Sequence, residues 1–186
     1  MIAIVDYKAG NLTSVKLAFD ALGVETTITA DPKAVITSDR VVFPGVGAAA
    51  SAMENLRALG LVEAVRASAN EKPFLGICLG MQILFDRTEE DGGVECLGIV
   101  PGNVRRFPNI AGFKVPEIGW NDVGQKEFYF VHSYYAELCP YTDGKASYAG
   151  VEFTASVKKG RLWATQFHPE KSGRVGLEFL KEWLAC

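Results

Sequence analysis

Pro73-Phe74-Leu75-Gly76-Ile77-Cys78-Leu79-Gly80-Met81-Gln82-Ile83-Leu84-Phe85 is the stretch on which the fold of this chain turns. Pro73–Ile77 is continuously apolar apart from Gly76, the composition of a strand covered on both faces. Leu79–Phe85 restarts as a helix. A buried strand passing into a helix through Gly-x-Cys-x-Gly has the form of a nucleophile elbow, a sharp turn that presents the central side chain at the carboxyl edge of a sheet. Bulky residues two positions either side of Cys78 would collide, so only small ones fit there. The helix N-terminus is expected to favour the thiolate, giving Cys78 a lowered pKa.

The same alternation extends outward from the elbow. Ile2–Val5, Val24–Thr29 and Arg40–Phe43 read as strands. Helical spacing covers Asn11–Leu22, about Ala48–Leu59 and about Leu61–Asn70. Strand and helix taking turns define an α/β layer fold around a mainly parallel sheet, because each right-handed crossover lays its helix back on the sheet. Beyond the elbow the character changes. Val104–Phe107, Phe128–Val131, Ala146–Ala149, Val151–Val157 and Arg161–Phe167 are strand candidates with short Gly-containing connections, predicting antiparallel extensions before a closing helix, about Gly173–Ala185. No repeat or linker divides the chain, so a single domain over 1–186 is expected.

Composition bounds the chemistry. Of 186 residues, 48% are hydrophobic and 22% charged, enough apolar matter to form a core. Twenty-two acidic residues against 19 basic ones give a net charge of −3, which does not attract a nucleic-acid backbone. No segment approaches the roughly 20 apolar residues that cross a bilayer, and Met1–Asp6 has no leader character. A cytoplasmic protein without membrane contact is expected. Cys78, Cys96, Cys139 and Cys186 are irregularly spaced, without C-x-x-C, and read as reduced thiols.

Two further segments join Cys78. In Gln166-Phe167-His168-Pro169-Glu170, Pro169 holds His168 extended, and residues i and i+2 of an extended chain share a side about 6.5–7 Å apart. Glu170 can then fix the imidazole tautomer and leave the other nitrogen to take a proton from Cys78. The rival base is His132, which has no carboxylate within two positions. Pro44-Gly45-Val46-Gly47, at another strand end, suits close backbone approach to a ligand. Val46 and Gly47 are candidates for half of an oxyanion hole, and the Leu79 amide for the other half. A phosphate loop is the competing reading, but the third glycine of G-x-G-x-x-G is missing. Nucleophile, base and donor loop at neighbouring strand ends point to acyl transfer through a thioester.

These motifs resemble those of the class I glutamine amidotransferases. Asp6–Val15, Pro44–Gly47, Gly76–Gln82, Gly119-Trp120-Asn121, Phe130–Tyr135 and Gln166–Ser172 together resemble, in order, the glutaminase subunits of imidazole glycerol phosphate synthase. The resemblance implies a three-layer, flavodoxin-like α/β fold and a triad of Cys78, His168 and Glu170 that hydrolyses glutamine to glutamate and ammonia. By the same resemblance Gly45, Gln82, Glu90, His132, Ser133 and Tyr134 line the glutamine pocket, with no cofactor and no metal. It also implies a heterodimer with a (βα)₈-barrel cyclase, which takes up the ammonia in histidine biosynthesis and meets this chain at Asn11, Trp120, Tyr129 and Lys171. Such a barrel needs about 250 residues, so the cyclase is expected on a separate polypeptide. If the Val46 amide points away from the site in the free subunit, the isolated chain is a poor glutaminase.

The sequence departs from the family at Lys8, where a glycine is usual, at Ala49, where an aromatic follows Gly-Ala, and at Glu117, where a histidine precedes Gly-Trp-Asn. The connection from Trp120 to Phe128 is also short. Alternatives are a glutaminase subunit of another synthase (anthranilate or pyridoxal phosphate), a cysteine hydrolase acting alone, and a non-catalytic module that keeps the fold.

Overall fold

The computed structural model describes residues 1–186. In chain order the elements are β1 (Ile2–Val5), α1 (Leu12–Asp20), β2 (Thr26–Thr29), α2 (Pro32–Thr37), β3 (Arg40–Gly45), α3 (Ala49–Ala58), α4 (Val62–Glu71), β4 (Phe74–Cys78) and α5 (Leu79–Gln82). There follow β5 (Arg87–Thr88), β6 (Val94–Glu95), β7 (Asn103–Arg106), β8 (Glu117–Val123), β9 (Lys126–His132), β10 (Tyr134–Ala136), β11 (Thr142–Tyr148), β12 (Val151–Lys159), β13 (Leu162–Thr165) and α6 (Gly173–Leu184). The main sheet runs β2-β1-β3-β4-β13-β12-β10-β7-β5-β6, with β11 on β12; β8 and β9 form a separate hairpin. From β2 to β13 the neighbours are parallel, and β12, β10 and β7 continue antiparallel.

The period of two along each strand sorts the core into two layers. Val41 and Phe43 pack with Met53 and Leu56 of α3 and Val65 of α4 on one face, while Val42 joins Phe19 of α1 and Leu180 and Trp183 of α6 on the other. Trp183 and Phe19 are completely buried and meet edge to face at 5.8 Å. Each such side chain contributes about 1.5–3 kcal/mol by leaving water.

Three local expectations are corrected. No helix is expected between the strands at Val24–Thr29 and Arg40–Phe43, but Asp31-Pro32, just past the end of β2, starts α2: the Asp31 carboxylate accepts from Lys33 N–H at 2.9 Å, with Pro32 in the first turn. The helix after the elbow is a single turn rather than reaching Phe85, so the helix dipole adds little at Cys78. Gly119-Trp120-Asn121, expected as a motif and not as part of a strand, lies within β8, which pairs with β9 through the turn at Gly124 and places Trp120 opposite Tyr129. The short connection between them is thus a tight hairpin. Phe128 and Phe130 point inward, and Phe128 stacks on Phe167 at 4.0 Å. Outward stand Ile118 and Trp120, 64% and 56% exposed.

No helix is long and apolar enough to cross a membrane.

Candidate active site

Sheet register assembles the site. Gly45, the last residue of β3, lies opposite Cys78, the last residue of β4, and Thr165 lies opposite Ile77 on the other side. The donor loop, the elbow and the segment leading to His168 therefore leave the sheet side by side.

Cys78 has φ +55° and ψ −112°, a conformation that non-glycine residues avoid and that tight packing must enforce. The glycines make the turn possible. A Cβ on Gly80 would overlap the Phe43 carbonyl, and one on Gly76 would fall 3.0 Å from the Gly80 carbonyl and 3.1 Å from Leu84. Gly45 is equally confined, by the Tyr7 hydroxyl and the Gly80 amide. Cys78 stays 7% accessible and borders a cavity of about 400 Å³, together with Val46, Gly47, Leu79, Gln82, Glu90, Val131, His132, Ser133, Tyr134, His168 and Lys171.

His168 Nδ1 pairs with Glu170 Oε1 at 2.7 Å, both side chains 2% exposed. Its Nε2 has no partner in hydrogen-bond geometry yet lies within electrostatic reach of the sulfur. Burial opposes the imidazolium, but the charge on Cys78 and then the bond and charge of Glu170 outweigh it, so His168 is pushed up to about 10. His132 differs. Its Nδ1 faces the Tyr134 carbonyl at 2.7 Å and its Nε2 faces Glu117 Oε2 at 2.9 Å. Both nitrogens meet acceptors, so the buried His132–Glu117 pair holds a proton between its members, and no nitrogen is free to act as a base.

The absence of a carboxylate within two positions of His132 is therefore a misleading guide: Glu117 reaches it from across the hairpin. Asn121 Nδ2 donates to the other oxygen of Glu117 at 2.7 Å.

Glu90 accepts from the Ala49 N–H at 2.8 Å, supplying the cap that α3 lacks at Ala48. Burial, partly offset by that bond, raises its pKa. Of the residues expected at a partner surface, Trp120 and Tyr129 meet edge to face at 6.2 Å and Lys171 Nζ lies 5.9 Å from the Tyr129 ring. Lys171 also borders the cavity. Asn11 is exposed at the start of α1, where its side chain accepts from Ser14 N–H at 3.3 Å. Gly45 lies behind the cavity wall rather than on it, and Glu170 is hidden behind His168.

One neighbour of the sulfur is missing from the sequence reading. Gln166, completely buried, places its amide Nε2 3.7 Å from Cys78 Sγ. Its signal was its position, one residue past the strand that pairs with β4.

A family model for glutamine amidotransferase class-I matches residues 3–185. The imidazole glycerol phosphate synthase subunit HisH of Dehalococcoides mccartyi (strain CBDB1) is 48% identical over 96% of this chain and 93% of its own length. The chloroplastic imidazole glycerol phosphate synthase hisHF of Arabidopsis thaliana is 43% identical over 99% of this chain, which spans 34% of that relative. A crystal structure of a glutamine amidotransferase superposes with a TM-score of 0.76 at 19% identity, covering both chains completely. The chain belongs to the class-I glutamine amidotransferases and, within that class, to the HisH family of imidazole glycerol phosphate synthase subunits.

Proposed function

We propose that this chain hydrolyses glutamine at Cys78 and passes the ammonia to a separate (βα)₈-barrel cyclase. The observation that carries the reading is the division of labour between the two histidines. Only His168 combines a carboxylate on one nitrogen with a free nitrogen beside the nucleophile.

The steps follow from that geometry. Cys78 sulfur attacks the side-chain carbonyl of glutamine while His168 holds the thiol proton. The resulting oxyanion is stabilised by the Leu79 amide and by a donor from the Val46-Gly47 turn. His168 gives its proton to the leaving nitrogen as the C–N bond breaks, releasing ammonia and leaving a glutamyl thioester. Water, deprotonated by His168, attacks the thioester, and glutamate departs as the thiolate is restored. Glu170 orients the ring throughout. Glu90, on the cavity lining, receives the substrate ammonium, and the Ser133-Tyr134 segment, held by Gln82 and His132, lines the cavity as well.

The partner surface is the edge formed by Trp120, Tyr129 and Lys171, with Asn11 at the start of α1. An exposed tryptophan beside a tyrosine is the composition of an interface anchor. The plant relative, three times as long, is in keeping with a second unit that works with this one. The turn at Val46-Gly47 is unconfined: Val46 is 41% exposed, and Gly47 has φ +95° with open space around it. Its peptide can thus rotate when a partner seats against it. Glutamate release measured with and without a cyclase and its nucleotide ligand tests the assignment. Strong stimulation that disappears in Cys78→Ala is expected; equal turnover in both conditions overturns the coupling, and turnover surviving in Cys78→Ala overturns the site.

A further inference from the structure

The sulfur of Cys78 sits between two polar groups besides His168. The Val131 carbonyl, 3.9 Å away, can only accept, and serves the thiol. The Gln166 carboxamide is 3.7 Å away, and what it offers depends on which way round the amide lies. Oxygen toward the sulfur would repel a thiolate, whereas nitrogen would hold it.

Neighbouring hydrogen bonds settle the direction. The fixed point is the Tyr134 carbonyl, a backbone group that can only accept. Gln82 lies 2.7 Å from it, so the atom there must be the Gln82 nitrogen. That same nitrogen lies 2.9 Å from an amide atom of Gln166, which must then be the Gln166 oxygen. The remaining Gln166 atom, a nitrogen, faces Cys78. Turning Gln82 round would set oxygen against oxygen at two buried contacts, and turning Gln166 round would set its nitrogen against that of Gln82, each costing the desolvation of an unpaired group. The Tyr134 carbonyl is itself held by His132 Nδ1, whose other nitrogen is anchored by Glu117. His132 and Gln82 thus both donate to the Tyr134 carbonyl, and from Gln82 the donors point on through Gln166 to the nucleophile, ending in an N–H.

We propose that Gln166 is a further catalytic residue: its carboxamide N–H donates to the Cys78 sulfur and stabilises the thiolate, with Gln82 as the positioning residue that keeps the amide facing that way. This rests on Cys78 as the nucleophile of the glutaminase reading. It also fills a need left by the fold, because the single-turn α5 supplies little dipole at the sulfur. Gln166 is suited to the task because it is neutral. An amide there lowers the energy of the thiolate without setting a second buried cation beside His168.

The test reads the sulfur without glutamine. Peptide-resolved alkylation of Cys78 by iodoacetamide is followed against pH in the full chain, for the parent protein, Gln166→Met and Gln166→Glu. Gln166→Met keeps the shape and loses the donor, so alkylation at neutral pH should fall by about tenfold or more, the range of a hydrogen bond to a charged group, and the profile should move to higher pH. Gln166→Glu, which sets a carboxylate oxygen at the sulfur, should fall further. An unchanged rate and profile in folded Gln166→Met overturns the proposal.

The unmodified protein provides a second measurement that does not depend on how the variants fold. With ¹⁵N-glutamine labelling, one side-chain amide should shift as Cys78 ionises, and that response should vanish in Cys78→Ala; absence of any responding amide overturns the proposal. The two readings can fail separately. Slower alkylation in Gln166→Met beside a parent protein that never releases glutamate, even with a cyclase, would sink the glutaminase reading alone.

Discussion

The backbone N–H of His168 donates to the Tyr129 carbonyl at 2.9 Å. Tyr129 N–H in turn donates to Ser172 Oγ, which donates back to the His168 carbonyl at 2.6 Å. The hairpin that carries the exposed Trp120 is therefore bonded, through β9, to the residue proposed as the base. Tyr129, which lies opposite Trp120 in the hairpin, is thus hydrogen-bonded directly to His168.

His168 gives the first prediction, and with only two histidines in the chain its resonances are readily assigned. Cys78→Ala removes the largest influence favouring the imidazolium, so the titration midpoint of His168 by NMR should fall. The sign for stability follows from linkage. The folded value, about 10, exceeds the unfolded value of about 6.5, so the stabilisation is complete below about 6.5 and is lost as pH rises toward the folded value. The stability deficit of His168→Gln should accordingly be largest at pH 6 and shrink by pH 9 in urea titrations.

Glu117 gives the second. Glu117→Ala leaves His132 buried with a nitrogen unpaired, and removing one partner of a buried pair costs about 3–5 kcal/mol. Chemical denaturation should show that loss. Because His132 holds the Tyr134 carbonyl, KM for glutamine should rise as well, and Glu117→Gln, which keeps a hydrogen bond, should lose less of both.

The elbow distinguishes its two glycines. A methyl at Gly80 meets the rigid Phe43 carbonyl, whereas one at Gly76 also meets the end of the Leu84 side chain, which can move. Gly76→Ala should cost about 1–3 kcal/mol, the usual range for overpacking. Gly80→Ala should cost more and abolish glutaminase activity even where the protein remains folded.

Lys8 gives a prediction of opposite sign. It is exposed, with φ +63°. A left-handed conformation costs a residue with a side chain about 1–2 kcal/mol, and glycine gives back part of that through its freer unfolded chain. Lys8→Gly should raise stability by about 0.5–1 kcal/mol, measured by thermal or urea unfolding.

What was legible in the sequence was whatever is written in local pattern. The apolar run ending at Cys78 announced a central strand, and the glycines around it announced the turn. Strand and helix alternation brought the ends of β3, β4 and β13 to one edge. Pairings between distant segments left no local trace. Glu117 meets His132 across a hairpin, and β8 was obscured because its inward positions include Glu117, Gly119 and Asn121 instead of an apolar alternation. Gln166 was overlooked for a related reason: a buried glutamine has no period of its own, and its value lies in an amide direction that only the assembled network imposes. Asp31-Pro32 ends a strand and caps a helix with the same two residues, so the six-residue α2 has little period of its own to mark it.

The most direct test of the central claim is covalent. A chloroketone analogue of glutamine, mixed with the protein and its cyclase, should label Cys78 alone by peptide mass mapping, and labelling should slow sharply in His168→Asn. Label on Cys96, Cys139 or Cys186, or an undiminished rate without His168, would contradict the account.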